Sequence, residues 1–181
     1  MKRQTLQAIP EDLQMGHLLT PDAFLKSIYA IHPDGLRKLG IKGLILDIDN
    51  TLVPTYTRDA DIKIKSFLEE LNKNGIKTVI VSNAKQARVE QFCRYLNIDY
   101  IYKARKPLSN GFLKATGRMG LEPCHVAIVG DQLFTDILGG NLLGMKTFLI
   151  KPIDDNEPFF IKFKRLFEKP FLRGRHYMDK L

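Results

Sequence analysis

Leu44-Ile45-Leu46-Asp47-Ile48-Asp49-Asn50-Thr51 is the stretch on which the reading of this chain turns. Its apolar residues follow one another without polar alternation, as in a strand buried on both faces. Two carboxylates two residues apart then stand where such a strand should meet water. Oxygen donors in that arrangement suit a hard divalent cation, and a carboxylate there can also act as a nucleophile. Short acidic turns also arise as plain solvated strand ends. What lies downstream therefore decides between the two.

The downstream pattern is regular. Short apolar runs at 78–81, 100–102, 126–129 and 147–150 join 44–48 as expected buried parallel strands. Between them, Ile64, Phe67, Leu68 and Leu71 recur at helical spacing, as do Val89, Phe92, Cys93 and Leu96. Asn74-Gly75 should end the first of these helices, because glycine relieves the left-handed residue beyond a helix end. A third helix is expected over 110–119 and a fourth over 135–143. This alternation predicts an α/β fold, a Rossmann-like three-layer sandwich around a central parallel sheet. At 181 residues the chain suits one domain over 1–181: a helical lead (1–40), a catalytic core (41–150) and a basic aromatic tail (157–181). In the lead, Pro21-Asp22 should open a helix carrying Phe24, Ile28, Ala30 and Ile31, broken by His32-Pro33-Asp34-Gly35.

Composition narrows the function classes. Hydrophobic residues make up 44% and charged residues 27%, and the apolar runs are too short for a membrane-spanning helix. Met1-Lys2-Arg3 is basic, but no apolar segment follows as a secretion signal requires. Cys93 and Cys124 form no C-x-x-C pair and lie in segments that look core-facing, so a reducing, cytoplasmic compartment is expected. The net charge is +8 with a pI near 9.5. From Glu157 onward seven basic residues face three acidic ones, so half of that surplus lies in the tail. Such a surplus favours anionic partners.

In a parallel sheet of this kind ligands bind beyond the carboxyl ends of the strands. Asp47 and Asp49 fall there, as do Ser82-Asn83, Lys106-Pro107 and Gly130-Asp131. Three carboxylates, a hydroxyl and an ammonium suit Mg²⁺ beside a phosphoryl group, whose charge must be neutralised during transfer. Asp47 could attack phosphorus to form an aspartyl-phosphate. Asp49 could protonate the leaving oxygen and then deprotonate water. Taken singly, each residue has a plainer use. Ser82-Asn83 reads as a helix cap whose N–H groups could also hold phosphate. Lys106 reads as a surface lysine contested by Lys103 and Arg105, and Asp131 and Asp136 as a cap and a surface acid. Gly139-Gly140-Asn141-Leu142-Leu143-Gly144 resembles a dinucleotide fingerprint but ends a helix, so close packing explains it better. The four histidines show no metal-ligand spacing.

Together these residues resemble the phosphatases of the haloacid dehalogenase (HAD) superfamily over residues 43–150. Its first motif matches Asp47-Ile48-Asp49-Asn50-Thr51, its second Ser82, its third Lys106, and its fourth Gly130-Asp131 with Asp136. The resemblance implies that Asp47 is the nucleophile and a Mg²⁺ ligand. Asp49 would be the acid/base and bind the metal through its backbone carbonyl. Ser82 and Lys106 would hold phosphoryl oxygens, Asp131 would complete the metal shell, and Asp136 would support it from behind.

Thr51 and Ser82 enclose 30 residues, and Asn83 and Lys106 enclose 22, too few for the inserted caps by which many members choose substrates. An open site suits a substrate presented by a surface. Phe159, Phe160, Phe163, Phe167, Phe171 and Tyr177 interleave with the tail's basic residues, a pairing that suits an anionic bilayer. The same spacing also predicts a core-facing helix stripe at Phe159, Phe163 and Phe167. The lead from Pro21 to Gly43, running into the first motif, is similar to the YqeG-type branch of capless HAD phosphatases. That branch is akin to the phosphatidylglycerophosphate phosphatases of mitochondria and plastids. It implies dephosphorylation of phosphatidylglycerophosphate to phosphatidylglycerol, with peripheral contact at the inner face of the membrane. The alternatives are a phosphatase of soluble, protein or nucleic-acid phosphomonoesters and a non-catalytic regulatory scaffold. No specific nucleic-acid partner is expected.

Overall fold

The computed structural model describes residues 15–181 except residue 173. The Met1-Lys2-Arg3 start and the rest of the first 14 residues of the lead lie outside the described residues. The chain runs through α1 (Met15–Leu18), β1 (Ala23–Leu25), a 3-10 turn at Ile28–Ala30, α2 (Pro33–Lys38), β2 (Gly43–Leu46), α3 (Ile62–Lys73) and β3 (Lys77–Val81). It continues with α4 (Gln86–Cys93), β4 (Asp99–Ile101), α5 (Ser109–Met119), a 3-10 turn at Pro123–His125 and β5 (Val126–Gly130). A π-helical turn at Leu133–Ile137 leads into α6 (Leu138–Asn141), followed by β6 (Lys146–Ile150) and α7 (Phe159–Leu172).

These strands form one parallel sheet in the order β1-β6-β5-β2-β3-β4. β2 lies in the middle and is buried along its whole length, which its unbroken apolar run required. Leu44, Leu46 and Ile48 enter the core on one face with Ile64, Phe67, Leu68 and Leu71 of α3 and Val89 and Phe92 of α4. Ile45 points the other way, to Phe112, Ala115 and Met119 of α5. The result is the expected three-layer sandwich. The 51–82 gap holds only a loop, α3 and β3, and the 83–106 gap holds α4 and β4, so no cap is inserted in either. Asp61 caps α3 by accepting from the Ile64 N–H at 2.8 Å, and Gly75 closes it at φ +76°. A Cβ on Gly139 would collide with the Phe112 ring, so the glycine pair at α6 serves helix packing as expected.

Four expectations are corrected or amended. Phe24 lies in a strand rather than a helix: β1 pairs with β6 at the sheet edge, and a ladder of hydrogen bonds outweighs the uneven helical spacing of the lead. Pro33 does interrupt the preceding segment, but it also opens α2, where its missing N–H leaves nothing unsatisfied. Cys124 is exposed; only Cys93 is buried. The Phe159/Phe163/Phe167 stripe faces outward, exposed at 85%, 49% and 56%, while Glu168 is the buried residue of α7. The face turned inward is the polar one, because its partners are polar groups at the strand ends. Among the described residues no helix is long and apolar enough to cross a membrane.

Candidate active site

The register sets the site. Leu46 aligns with Ile80 of β3 and Val129 of β5, so all three strands end at one edge. Asp47 still donates its N–H to the Val129 carbonyl at 3.0 Å, which fixes its backbone as an extension of the strand. Asn50, at φ +59°, then turns the chain away. Gly130 precedes the opposite wall. A Cβ there would collide with the Asp136 carboxyl, so glycine is what lets that carboxylate come in.

Four of the residues singled out from sequence meet in one buried cluster. Lys106 Nζ lies 2.7 Å from Asp47 Oδ1 and 2.6 Å from Asp136 Oδ1, with all three side chains almost fully enclosed. Asp136 Oδ2 accepts from the Gln132 N–H and the Thr135 hydroxyl, both at 3.3 Å. Asp131 Oδ1 accepts from the Thr51 hydroxyl at 3.3 Å. One carboxylate oxygen from each of Asp47, Asp131 and Asp136 lies within 4.8 Å of the others, a grouping that could hold a metal ion. The set is all oxygen, without histidine or thiolate, so it fits a hard cation such as Mg²⁺. Asp136, read from sequence as a supporting acid, stands here in the triad.

The remaining residues frame this cluster. Asn83 accepts from the Lys106 N–H at 2.7 Å and donates to the Lys106 carbonyl at 3.2 Å, so its amide clips the lysine's backbone in place. Lys103 and Arg105, which contested the inward position, are exposed. Ser82 is buried at the end of β3, with its Oγ accepting from the Ala84 N–H at 3.1 Å. Asp49 stands apart from the triad, on the rim, where its Oδ1 accepts from Arg88 Nη2 at 2.9 Å. Beside that pair opens a cleft of about 430 Å³ lined by Arg58, Asp59, Ala87, Arg88 and Gln91.

Residues that carried no signal in the sequence motifs complete the wall. Arg165 of α7 pairs with the Asp131 carboxylate and donates to the Asp131 carbonyl at 2.8 Å. It also bonds both Glu157 oxygens, at 2.9 and 2.6 Å, and reaches Glu168 at 3.4 Å. Glu157 in turn accepts from Asn50 Nδ2 at 2.6 Å, and Glu168 accepts the N–H groups of Leu133 and Phe134. In the sequence the tail shows only surplus charge and aromatic spacing. A face shared by Arg165 and Glu168, opposite the phenylalanines, was the available clue.

Five buried carboxylates thus surround two cations, Lys106 and Arg165. Burial answers that excess first. It pushes the Asp47 carboxyl up to about 7, with Asp136 and Asp49 adding to the effect and Lys106 opposing it. Burial likewise raises Asp131 well above the usual range, with Asp47 and Asp136 adding and Arg165 opposing. For Lys106 burial works against the charge, yet Asp136 and Asp47 outweigh it and hold the ammonium above the ordinary lysine range. A bound divalent cation would reverse the tendency of these carboxyls to protonate.

Comparisons with known proteins agree with this geometry. Residues 60–144 match the family model for haloacid dehalogenase-like hydrolases. The chain is 41% identical over 152 residues to the probable phosphatase YqeG of Bacillus subtilis (strain 168), covering 84% of this chain and 88% of that one. It is 28% identical over 171 residues to the chloroplastic phosphatidylglycerophosphate phosphatase 1 of Chlamydomonas reinhardtii, covering 88% of this chain and 61% of that longer one. The fold resembles the cobalt-bound deoxy-D-mannose-octulosonate 8-phosphate phosphatase of Haemophilus influenzae. That match has a TM-score of 0.51 and 14% identity over 75% of this chain and 90% of that one.

Proposed function

The chain belongs to the haloacid dehalogenase-like hydrolases as a phosphatase, and we propose that it hydrolyses phosphomonoesters through an aspartyl-phosphate on Asp47. The observation that carries this reading is the Lys106 ammonium 2.7 Å from the Asp47 carboxylate, inside a cluster completed by Asp131 and Asp136. A nucleophilic carboxylate needs its charge screened while an anion approaches, and a buried ammonium does that without reorganising.

In the proposed cycle Asp47 attacks phosphorus as the substrate's ester oxygen departs. Asp49 gives that oxygen a proton from the rim, then takes one from the water that cleaves the acyl phosphate. Lys106 and Ser82 hold phosphoryl oxygens. Asn83 also keeps Lys106 in place. Asp47 and Asp131, with the backbone carbonyl of Asp49, would hold Mg²⁺, and Asp136 stands close enough to support or join them. That ion would withdraw charge from the transferring group.

The substrate we favour is phosphatidylglycerophosphate, hydrolysed to phosphatidylglycerol at the inner face of the membrane. Similarity to the Chlamydomonas enzyme supports it, and so does the lack of a cap inserted in the 51–82 and 83–106 segments. The outward face of α7 supports it too. Phe159, Phe160, Phe163 and Phe167 are exposed there with Lys162 and Lys169, a combination suited to an anionic bilayer interface. The test is phosphate release from vesicles containing phosphatidylglycerophosphate, beside a panel of soluble, protein and nucleic-acid phosphomonoesters. Release from the lipid that requires Asp47 and Mg²⁺ supports the reading. Turnover of soluble esters with none of the lipid removes the lipid substrate and leaves the chemistry standing.

A further inference from the structure

α7 is attached to the rest of the molecule in an unusual way. A surface helix ordinarily buries its apolar stripe and leaves its charges in water. Here Phe159, Phe160, Phe163, Leu166 and Phe167 are exposed, and the inward residues are Arg165 and Glu168. Apolar anchorage is at the last turn, where Phe171 meets the Phe134 ring edge-on at 6.4 Å and Leu172 packs on the Leu133–Ile137 cluster. The rest is held by polar pins between charged groups, which can let go only where another charge or water meets the acids they leave.

Those pins reach the cation site. Arg165 takes both the carbonyl and the carboxylate of Asp131, one of the three triad acids. With the Thr51 hydroxyl on the other oxygen, the Asp131 carboxylate has a donor on each side. Glu157, bonded to both Arg165 and Asn50, extends the same network to the loop that follows Asp49.

We propose that Arg165 is a latch on the cation site: with α7 seated, its guanidinium holds Asp131 and lowers the triad's affinity for a divalent cation, and release of the helix frees that carboxylate. This rests on the triad being a cation site, as read above. The physical basis is direct. A fixed positive charge in contact with one ligand acid repels a divalent ion at short range, in surroundings that screen poorly. Asp131 keeps its place without Arg165, because its backbone follows β5 and Thr51 still holds Oδ1. By linkage, what favours the cation must also favour an unseated helix, to the same factor. The exposed aromatic face lies on that same helix, so a surface that engages it would act on the site through Arg165.

Calorimetric titration with Mn²⁺ alone, on the full chain, tests this. Arg165→Gln should bind Mn²⁺ at least about ten-fold more tightly than wild type, the size expected for removing one nearby unit charge. Arg165→Lys, which keeps the charge, should remain nearer wild type. A second reading uses the unmodified protein: amide hydrogen exchange in Phe159–Leu172 should quicken when Mn²⁺ saturates the site. Equal or weaker Mn²⁺ binding by a folded Arg165→Gln protein, or exchange in α7 that Mn²⁺ leaves unchanged or slows, overturns the latch. In either case Mn²⁺ binding by wild type leaves the catalytic reading intact. If neither wild type nor Arg165→Gln binds Mn²⁺, the triad is no cation site and both readings fall.

Discussion

Lys106→Met isolates the electrostatic argument. The substitution preserves length and apolar stem but leaves Asp47 and Asp136 facing each other with no ammonium between them. Removing one partner of a buried pair costs about 3–5 kcal/mol. For a chain of this size each kcal/mol shifts the melting temperature by about 2–4 °C, so at pH 8 with chelator the fall should be roughly 6–20 °C. At pH 5 it should shrink, because Asp47, raised by burial to about 7 even with Lys106 present, takes up a proton and no longer repels its neighbour. Thermal melts by circular dichroism at the two pH values measure both. Activity should fall by about 10²–10³ in kcat, the size of losing one preorganised charge at the reacting centre. A melting temperature equally depressed at pH 5 and pH 8, or near-normal turnover, would refute the reasoning.

Three further outcomes follow from the same geometry. In chelator the wild-type protein should lose stability as pH rises from 5 to 8. Asp47 binds its proton more tightly folded than unfolded, so its contribution is complete below the ordinary carboxylate range and gone once pH passes about 7. Melts of Asp47→Asn should show that slope flattened, and Mg²⁺ should oppose it in wild type. Arg88→Gln should leave the melting temperature within about 2 °C, since a pair at the rim that water still reaches contributes little, yet lower kcat about ten-fold on every ester by releasing Asp49. Steady-state kinetics on a small soluble ester measure the fall in kcat, and the unchanged melt separates it from a folding defect. Phe163→Asp and Phe167→Asp should each weaken binding to anionic vesicles about ten-fold in a flotation assay, with hydrolysis of a small soluble ester unchanged.

Much of the fold was legible because its signals are local and repeated. The unbroken apolar runs of β2, β3 and β5 and the helical spacing of α3 identify themselves without tertiary information. The convergence of Asp47, Lys106 and Asp131 followed from one topological rule about strand ends, whereas Asp136, in the turn after β5, was marked only by the family motif. The three residues of β1 were not legible, since an edge strand that short is defined by its partner β6 and not by its own pattern. α7 was recognised as amphipathic, but which side faced inward depends on what waits at the strand ends. Arg165 meets Asp131, Glu157 meets Asn50 and Glu168 meets Leu133, each across more than 30 residues of sequence, and no spacing rule reports such a network. The pairing of Asp49 with Arg88 was hidden for the same reason, being set by where α4 packs.

The most direct test of the account is to quench a single turnover of phosphorus-labelled substrate in acid and locate the label by peptide mass spectrometry. The account predicts label on Asp47, most abundant in Asp49→Asn, where the acyl phosphate persists, and none in Asp47→Asn, which should be inactive. Label on another residue, or an Asp47→Asn protein that still releases phosphate, would contradict it.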